Sequence, residues 1–353
     1  MALLEKRLLS SFDRLMSYVE RINGLNGGTS CALFAIQSDH VVAEYYEGKH
    51  APEYSARPTA ADSQFNVASV RKSYIGLAAA WALHSGAIRS FDDPVIRYIS
   101  ADAEDSKHLQ KVTIRNLLTH THGLGRDGEG RLVQRFEAGT DWDYNNVGIR
   151  LLTELIPKTT GRSIAELLNE KVFQPLGWRE TGWRTAPSDL LVPVVDDSGA
   201  SLLIDSNGDG CEGNLFVSAR ELAYWGYLHF KLGKIKGDSI VPESVIRTSI
   251  SLQTPAGLPA DLPRNGCLWL VKNGESPQSL IGHDVPDNSF EIVGLYGPLV
   301  LVVPELDLVV VRMANRVGNY EDEKGTYIEY LKEFSNKAVH DARETLVNSR
   351  ILR

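Results

Sequence analysis

The chain has 353 residues, of which 43% are hydrophobic and 23% charged, and its formal net charge is −8. This composition is typical of a globular protein with one large domain or two closely joined domains. The negative charge and the scattered lysines and arginines exclude a nucleic-acid binder. The three cysteines lie far apart in sequence without a C-x-x-C spacing, which excludes a disulfide framework and a zinc site.

The N-terminal segment predicts a helix followed by two strands. Apolar residues recur at helical spacing from Leu4 to Ile22, and Gly24 follows as a stop signal. Residues 30–48 are typical of two strands around a tight turn at Ser38-Asp39. The first segment lacks the apolar core of a signal peptide, and no run is long enough to span a bilayer. We therefore expect a cytoplasmic protein without a membrane span.

The rest of the chain predicts helices first and strands afterwards. Capped or Gly- and Pro-bounded helical patterns dominate the middle, at 112–120, 146–161, 163–177, 218–233 and 242–250. Segments rich in β-branched residues then predict strands at 267–274, 298–304 and 306–313. A final helical pattern at 321–343 closes the chain.

This order predicts an α/β (α+β) fold made from both chain ends. Residues 1–68 and 255–353 would form a sandwich in which terminal helices flank one antiparallel sheet. Residues 69–254 would form a mostly helical domain inserted into it. The active site would then lie in the cleft between the two domains.

Ser69 and Lys72 are the first candidates for chemistry. They stand one helical turn apart at the start of a very apolar helix, so the hydroxyl and the amine share a face. A desolvated lysine has its pKa lowered and can take the proton that makes serine a nucleophile. The helix N-terminus would add N–H groups for an oxyanion. The alternative is a serine N-cap beside a lysine that extends to solvent.

Tyr144 and Asn146 form a second candidate pair on a loop that enters a helix. A phenol near an ammonium can ionise or relay a proton, and the amide can bind a substrate carbonyl. The alternative is an aromatic core anchor followed by an asparagine cap.

Four segments in order resemble the serine β-lactamase and penicillin-binding-protein superfamily, in its class C β-lactamase, esterase and D-peptidase branch. They are FNVASVRKS, VTIRNLLTHTHGL, AGTDWDYNNVGIRLLTELI and LVLVVPELDLVVVRMAN. The likeness extends over about residues 8–315. It implies a β-lactamase/transpeptidase-like fold, an acylated Ser69, general acid/base work shared by Lys72 and Tyr144, and a substrate contact at Asn146.

The third motif of that superfamily differs in this chain. The family carries Lys or His, a small residue and Gly on the strand before the final hairpin, and alignment from LVLVVPELDLVVV places Ile292-Val293-Gly294 there. The backbone oxyanion donor would survive at Leu295 beside Gly294, whereas the cation that grips a substrate carboxylate is missing. Lys272-Asn273-Gly274 and His283 are less suitable alternatives, since the first is a turn signal and the second requires a long insertion.

Three other kinds of functional site are not supported by the sequence. His120-Thr121-His122 lacks the partners of a metallo-β-lactamase site, so His120 is expected to be structural. DSNGDG at 205–210 starts like a calcium loop but has Phe216 where the last ligand belongs. No G-x-S-x-G occurs for an α/β-hydrolase.

The sequence therefore predicts a cofactor-free serine hydrolase, without a metal, that acts on an ester, amide or β-lactam through an acyl-enzyme. Loss of the cation favours uncharged esters and amides. The alternative is a penicillin-binding or sensor relative that is acylated without turnover. The partner is a small-molecule substrate, and the sequence does not indicate the oligomeric state.

Overall fold

The computed structural model describes residues 4–53, 55–318 and 320–351, in which seventeen strands and ten α-helices are assigned. The helices are α1 Asp13–Leu25, α2 Arg71–His84, α3 Ala103–Leu109, α4 Ile114–Leu118, α5 Val147–Thr160, α6 Ile164–Leu168, α7 Gln174–Leu176, α8 Ala219–Phe230, α9 Glu243–Ile250 and α10 Tyr327–Ile351. The strands are β1 Glu5–Lys6, β2 Ser30–Gln37, β3 His40–Gly48, β4 Gln64–Asn66, β5 Leu124–Arg126, β6 Leu132–Gln134, β7 Gly182–Trp183, β8 Leu191–Val192, β9 Val194–Asp196, β10 Gly199–Ser201, β11 Leu215–Ser218, β12 Lys234–Ile235, β13 Asp238–Ser239, β14 Leu270–Val271, β15 Phe290–Val293, β16 Leu299–Val303 and β17 Leu308–Ala314.

One seven-stranded sheet joins the two ends of the chain. Its strand order is β1-β3-β2-β17-β16-β15-β14, and each pair is antiparallel except β1 with β3. The turn at Ser38 and Asp39 has φ of 46° and 62°, the left-handed geometry that a tight hairpin requires. The mixed α/β fold expected from the sequence is confirmed.

Alternating residues of this sheet belong to two different hydrophobic cores, one on each face of the sheet. Phe34 and Val302 lie in the core that also contains α2 and α8, whereas Leu33 and Leu301 lie in the core beneath α1 and α10. This is the two-residue period of a strand buried on both faces.

Helix α8 connects the sheet to the helix that carries Lys72. A Cβ on Gly226 of α8 would lie 2.7 Å from a methyl group of Val309, so the absence of a side chain allows the helix to pack closely on β17. On its other side, Trp225 stacks on Tyr74 with ring centroids 3.9 Å apart and donates a hydrogen bond to Ser73. The start of α2 is thereby fixed relative to the sheet.

The predicted N-terminal helix begins later than expected. The Arg7 and Leu9 N–H groups donate to the carbonyls of Val41 and Val42, so this segment pairs with β3 instead of coiling. The helix runs over Asp13–Leu25, with Gly24 inside it. The prediction from Leu4 was wrong because an unpaired sheet edge offered backbone partners that helical spacing does not reveal.

The region between β3 and β14 contains α2 to α9 and also short strands that the sequence patterns did not predict. Four of these form a small sheet of order β7-β11-β4-β8, and β4 leads directly to Ser69. The division at 69 and 254 remains a prediction, and α8 packs on the large sheet although it falls within the inserted segment. Within the described ranges, none of the helices is both long and apolar enough to cross a membrane.

Candidate active site

Ser69 lies in a strained turn at the entrance to α2. It occupies a 3₁₀ turn, Ala68–Val70, and Ala68 has a φ of 46°, which is unfavourable for a residue with a Cβ. Asn66 stabilises the turn, because its side-chain oxygen accepts from the Ala68 N–H at 2.9 Å and its amide donates to the Gly213 carbonyl at 2.9 Å. The N-cap of α2 is Val70, without a side-chain cap, so Ser69 is not a helix cap.

Lys72 is buried and directed at two hydroxyl groups. Its side chain does not extend to solvent, because the residue is 2% exposed. The Lys72 Nζ lies 2.8 Å from Ser69 Oγ and 2.6 Å from the Tyr144 hydroxyl. Burial, aided by the positive charge of Arg71, lowers the pKa of Lys72 to about 7. A large fraction of the amine is therefore unprotonated at neutral pH and can accept the Ser69 proton.

Tyr144 brings a phenol to the same amine. The Lys72 Nζ also lies 4.3 Å from the centroid of its ring, although 48% of the residue is exposed. Burial raises the pKa of Tyr144, while its hydrogen bond with Ser69 and the charge of Arg71 lower it. The net effect keeps the phenol protonated at neutral pH, which favours a proton relay over an ionised base.

His120 supports the Tyr144 ring, a role that sequence spacing did not reveal. Its imidazole is buried, and the two ring centroids lie 4.7 Å apart. Its carbonyl accepts from the Asp143 N–H at 3.0 Å, which joins the two loops. Burial, followed by the charge of Lys72, lowers the pKa of His120 well below its usual value. The imidazole is therefore neutral, and neither ring nitrogen has a partner among the described residues.

The backbone of His120 is also strained, with a φ of 58°. Its neighbour His122 accepts from the Leu124 N–H through Nδ1, and burial lowers the pKa of His122 to about 4. In the described ranges, no three His, Cys, Asp or Glu side chains come together as a metal site.

Asn146 is exposed at the N-cap of α5 and makes no side-chain hydrogen bond to the described residues. Its neighbour Asn145 makes the local contacts instead, since its Oδ1 accepts from the Val147 N–H at 3.0 Å and its Nδ2 donates to Asp143 at 2.7 Å. The structure thus leaves the Asn146 carboxamide open to solvent. Its role as a substrate contact remains a prediction.

The end of β15 lies directly against the Ser69 turn. A Cβ on Gly294 would lie 2.4 Å from the Val67 carbonyl oxygen and 3.3 Å from the Ala68 Cβ, so a residue without a side chain is needed there. The Leu295 side chain is 48% exposed, and its N–H makes no backbone hydrogen bond to the described residues.

The alternative cations for the third motif have other partners. Lys272 is buried next to β14, where its Nζ lies 3.7 Å from Glu275. His283 contacts Asn336 of α10 at 3.0 Å and its neighbour Asp284 at 3.2 Å. Neither has a described contact with Ser69.

Arg71 supplies a positive charge that the motif comparison overlooked. It follows Val70 at the start of α2, and its guanidinium has one weak contact, 3.4 Å to the Cys211 carbonyl. It lowers the pKa of Lys72 and of Tyr144, which places its charge on the candidate site. Glu212 is the carboxylate whose charge acts on Arg71, but none of the described carboxylates lies within ion-pair distance of it. The sequence signal was the basic residue beside Lys72.

Comparison with known proteins identifies the family of this chain. The family described as Beta-lactamase matches residues 17–332. The uncharacterized protein BpOF4_21049 of Alkalihalophilus pseudofirmus is 41% identical over 319 residues, covering 90% of this chain and 93% of that protein. Esterase EstB of Burkholderia gladioli is 29% identical over 177 residues, covering 40% and 44%. The solved structure of a class C beta-lactamase superposes with a TM-score of 0.73 at 16% identity, covering 94% and 96%. The chain therefore belongs to the Beta-lactamase family, and the expected superfamily is confirmed.

Proposed function

We propose that this member of the Beta-lactamase family is a serine hydrolase that cleaves uncharged esters or amides through an acyl-Ser69 intermediate. The observation that carries the proposal is the placement of the buried Lys72 amine within hydrogen-bond distance of both Ser69 and Tyr144. The lowered pKa of Lys72, about 7, makes the amine a usable base in the physiological range.

The first step would acylate Ser69. The neutral Lys72 amine takes the hydroxyl proton as Oγ attacks the substrate carbonyl, and the tetrahedral oxyanion is held by the N–H groups of Ser69 and Leu295. As the intermediate collapses, the proton passes from Lys72, directly or through the Tyr144 hydroxyl, to the leaving alcohol or amine. The products are the free leaving group and an ester on Ser69.

The second step would hydrolyse that ester. A water molecule loses a proton to the Lys72–Tyr144 pair while its oxygen attacks the acyl carbonyl. The proton then returns to Ser69 Oγ as the carboxylic acid leaves. Lys72 ends both steps in the neutral form in which it began.

The β15 side of the site favours a substrate without a negative charge. The apolar Leu295 side chain is exposed next to Gly294. In the alignment of the third motif, Ile292 takes the place of the superfamily's cation. A substrate carboxylate would lose hydration there without gaining an ion pair. The sequence likeness to an esterase supports ester substrates. We expect β-lactams, which carry a carboxylate, to be turned over slowly.

We also propose that substrate enters through a cleft between the sheet built from residues 1–68 and 255–353 and the region 69–254. The packing of β15 against the Ala68–Val70 turn supports this arrangement, since that turn carries Ser69 at the start of the second region.

Mass spectrometry of the intact protein tests the nucleophile directly. A penicillin or a p-nitrophenyl ester should add one acyl mass, and peptide mapping should place it on Ser69. The Ser69→Ala variant should show no adduct, whereas the matched control Ser188→Ala, in an exposed loop, should behave as the parent protein. An adduct that persists in Ser69→Ala would overturn the assignment.

Steady-state turnover separates a hydrolase from a sensor. A p-nitrophenyl ester, a chromogenic cephalosporin and a D-alanyl dipeptide should be compared, and we expect the ester to be the best substrate. Stoichiometric acylation without release of further product would instead support a sensor.

A further inference from the structure

A small cavity of about 40 Å³ lies behind the turn that follows β15, on the face of the sheet covered by α1 and α10. Ser69, Lys72 and Tyr144 do not line it. Its walls include the following residues of the sheet, of α1 and of the start of α10: Asn23, Gly297, Arg312, Tyr320, Tyr327 and Tyr330. One water molecule needs about 10–15 Å³ of such space, so the cavity has room for a small ion with accompanying water.

Arg312 gives this cavity a buried positive charge. The residue is 6% exposed, its Nε donates to the Gly297 carbonyl at 2.9 Å, and its guanidinium carbon lies 5.4 Å from the centroid of the Phe334 ring. The two terminal guanidinium nitrogens have no acceptor in the described ranges. No described carboxylate lies within ion-pair distance of Arg312 either. The guanidinium is thus largely removed from bulk water and has no described counter-charge within ion-pair distance.

Glu291 is the carboxyl group whose charge would raise the pKa of Arg312, but it is a poor counter-ion. Burial raises the pKa of Glu291 to about 8, against the opposing effects of Ser335 and Arg312. The Ser335 hydroxyl donates to it at 2.5 Å, while its other oxygen has no partner among the described residues. At neutral pH Glu291 is therefore mostly protonated, and the charge of Arg312 remains uncompensated.

The neighbouring hydroxyl groups differ in availability. Tyr320 and Tyr330 each donate to Asp322 at 2.7 Å, so their hydrogens point to that carboxylate. The start of α10 is already capped, because Glu329 accepts from the Thr326 N–H at 2.6 Å. The Tyr327 hydroxyl has no hydrogen-bond partner in the described part of the chain. Burial raises the pKa of Tyr327, while the positive charge of Arg312 lowers it.

We propose that this cavity is a binding site for a small monovalent anion, held between the Arg312 guanidinium and the Tyr327 hydroxyl. The anion supplies the negative charge that the protonated Glu291 side chain lacks. The negative charge of Asp322, which accepts hydrogen bonds from Tyr320 and Tyr330 of the cavity wall, disfavours divalent anions such as sulfate more strongly than monovalent ones. Since Arg312 Nε also holds the Gly297 carbonyl, the bound ion stabilises the turn that begins at Gly294. The inference is independent of the chemistry assigned to Ser69.

A crystal grown in sodium bromide tests the site. The anomalous signal of bromide should give a peak within hydrogen-bond distance of the Arg312 terminal nitrogens and the Tyr327 hydroxyl. The same crystal form of Tyr327→Phe should give a weaker peak. An empty cavity, or ordered water without anomalous signal at that position, would overturn the proposal.

Thermal unfolding in solution provides the second measurement. The midpoint of the parent protein should rise and saturate as bromide replaces gluconate at constant ionic strength. Tyr327→Phe should raise the apparent dissociation constant about fivefold, the usual effect of one lost hydrogen bond. Arg312→Met should abolish the saturable rise, whereas the control Arg150→Gln, which removes an exposed charge from α5, should retain it.

If Arg312→Met fails to fold, the bromide peak and the Tyr327→Phe titration still decide the matter. A saturable rise of the same size in Arg312→Met and in the parent protein would refute the assignment.

Discussion

The α2 side and the β15 side of the candidate site differ in what they offer a substrate. On the α2 side, Lys72 joins Ser69 to Tyr144 through short hydrogen bonds in a buried setting. On the β15 side, Gly294 contributes only a close backbone contact, and the exposed side chain next to it is Leu295. We therefore expect that the groups proposed for catalysis and those proposed for substrate recognition can be altered separately by mutation. The proposed oxyanion donor requires only the backbone geometry of β15, whereas binding a substrate carboxylate requires a side-chain cation.

Among the substitutions that compare the two sides and leave Lys72 in place, the largest effect is expected from Gly294→Ala. The new Cβ would lie 2.4 Å from the Val67 carbonyl oxygen, so either β15 or the Ser69 turn must move. We expect acylation by a p-nitrophenyl ester to fall about 100-fold, the size of a lost oxyanion donor. Stopped-flow release of p-nitrophenol measures this rate.

The matched control is Gly128→Ala, at a position where an added Cβ meets no atom within 4 Å. It should acylate at the parent rate. If Gly294→Ala does the same, β15 does not contribute to the oxyanion site.

His120→Asn tests the support of the Tyr144 ring on the α2 side. Asparagine tolerates the left-handed backbone at this position but cannot pack on the phenol. The loss of one ring pair should lower kcat about tenfold. KM should change little, because the phenol acts on the proton and not on substrate binding.

Two further measurements on His120→Asn distinguish the loss of ring support from a general loosening of the structure. Circular dichroism should show an unchanged fold, and the pH profile of kcat should lose the contribution of the phenol. An unchanged kcat in a folded His120→Asn variant would show that Tyr144 needs no such support.

Ile292→Lys would give the β15 side the cation that it lacks. A cation at this position should favour substrates with a carboxylate, and one charge-assisted hydrogen bond corresponds to a change of about tenfold. The quantity to measure is the ratio of acylation rates for a penicillin and a neutral p-nitrophenyl ester. Taking the ratio cancels any general cost of placing a lysine at a buried residue.

Ile292→Met is the control, since it keeps the residue apolar. Its ratio should equal that of the parent protein. Equal ratios in Ile292→Lys and Ile292→Met would place the recognition of carboxylates elsewhere.

The smallest effect is expected from Arg71→Gln. The positive charge of Arg71 lowers the pKa of Lys72, so removing it should raise that pKa. The neutral amine is the reactive form, and the rising limb of the acylation rate should therefore move to higher pH. The exposed Arg150→Gln variant serves as a control and should leave the limb in place. A shift to lower pH in Arg71→Gln would contradict the electrostatic account.

Local sequence spacing predicted that Ser69 and Lys72 share a face, although it left the alternative of a serine cap open until the resemblance was added. Both residues lie within one helical turn, so their proximity follows from helix geometry alone. The strand before the final hairpin was also predicted, and the close packing of Gly294 on Val67 agrees with its placement. The resemblance of four ordered segments added Tyr144, which spacing alone would have left as a core aromatic residue.

Features that depend on tertiary contacts were not predictable in this way. The support of Tyr144 by His120 requires knowing which loops meet. The effect of Arg71 on Lys72 requires knowing that the site is buried, which the neighbouring basic residue alone does not show. The short strands between residues 64 and 239 have two to four residues each, too few for a periodic pattern. Asn146 illustrates the same limit, because sequence did not show that Asn145 would make the local hydrogen bonds.

The pH dependence of Ser69 acylation under single-turnover conditions tests the central claim most directly. With a neutral p-nitrophenyl ester, the rate should rise with pH through an apparent pKa near 7, because deprotonation of Lys72 creates the base. In Lys72→Met the rate should fall about 1,000-fold and lose this dependence, while the exposed control Lys158→Met should match the parent protein. A rate that is independent of pH between 5 and 9 (a range of about two units on either side of 7), or an inflection that persists in Lys72→Met, would contradict the account.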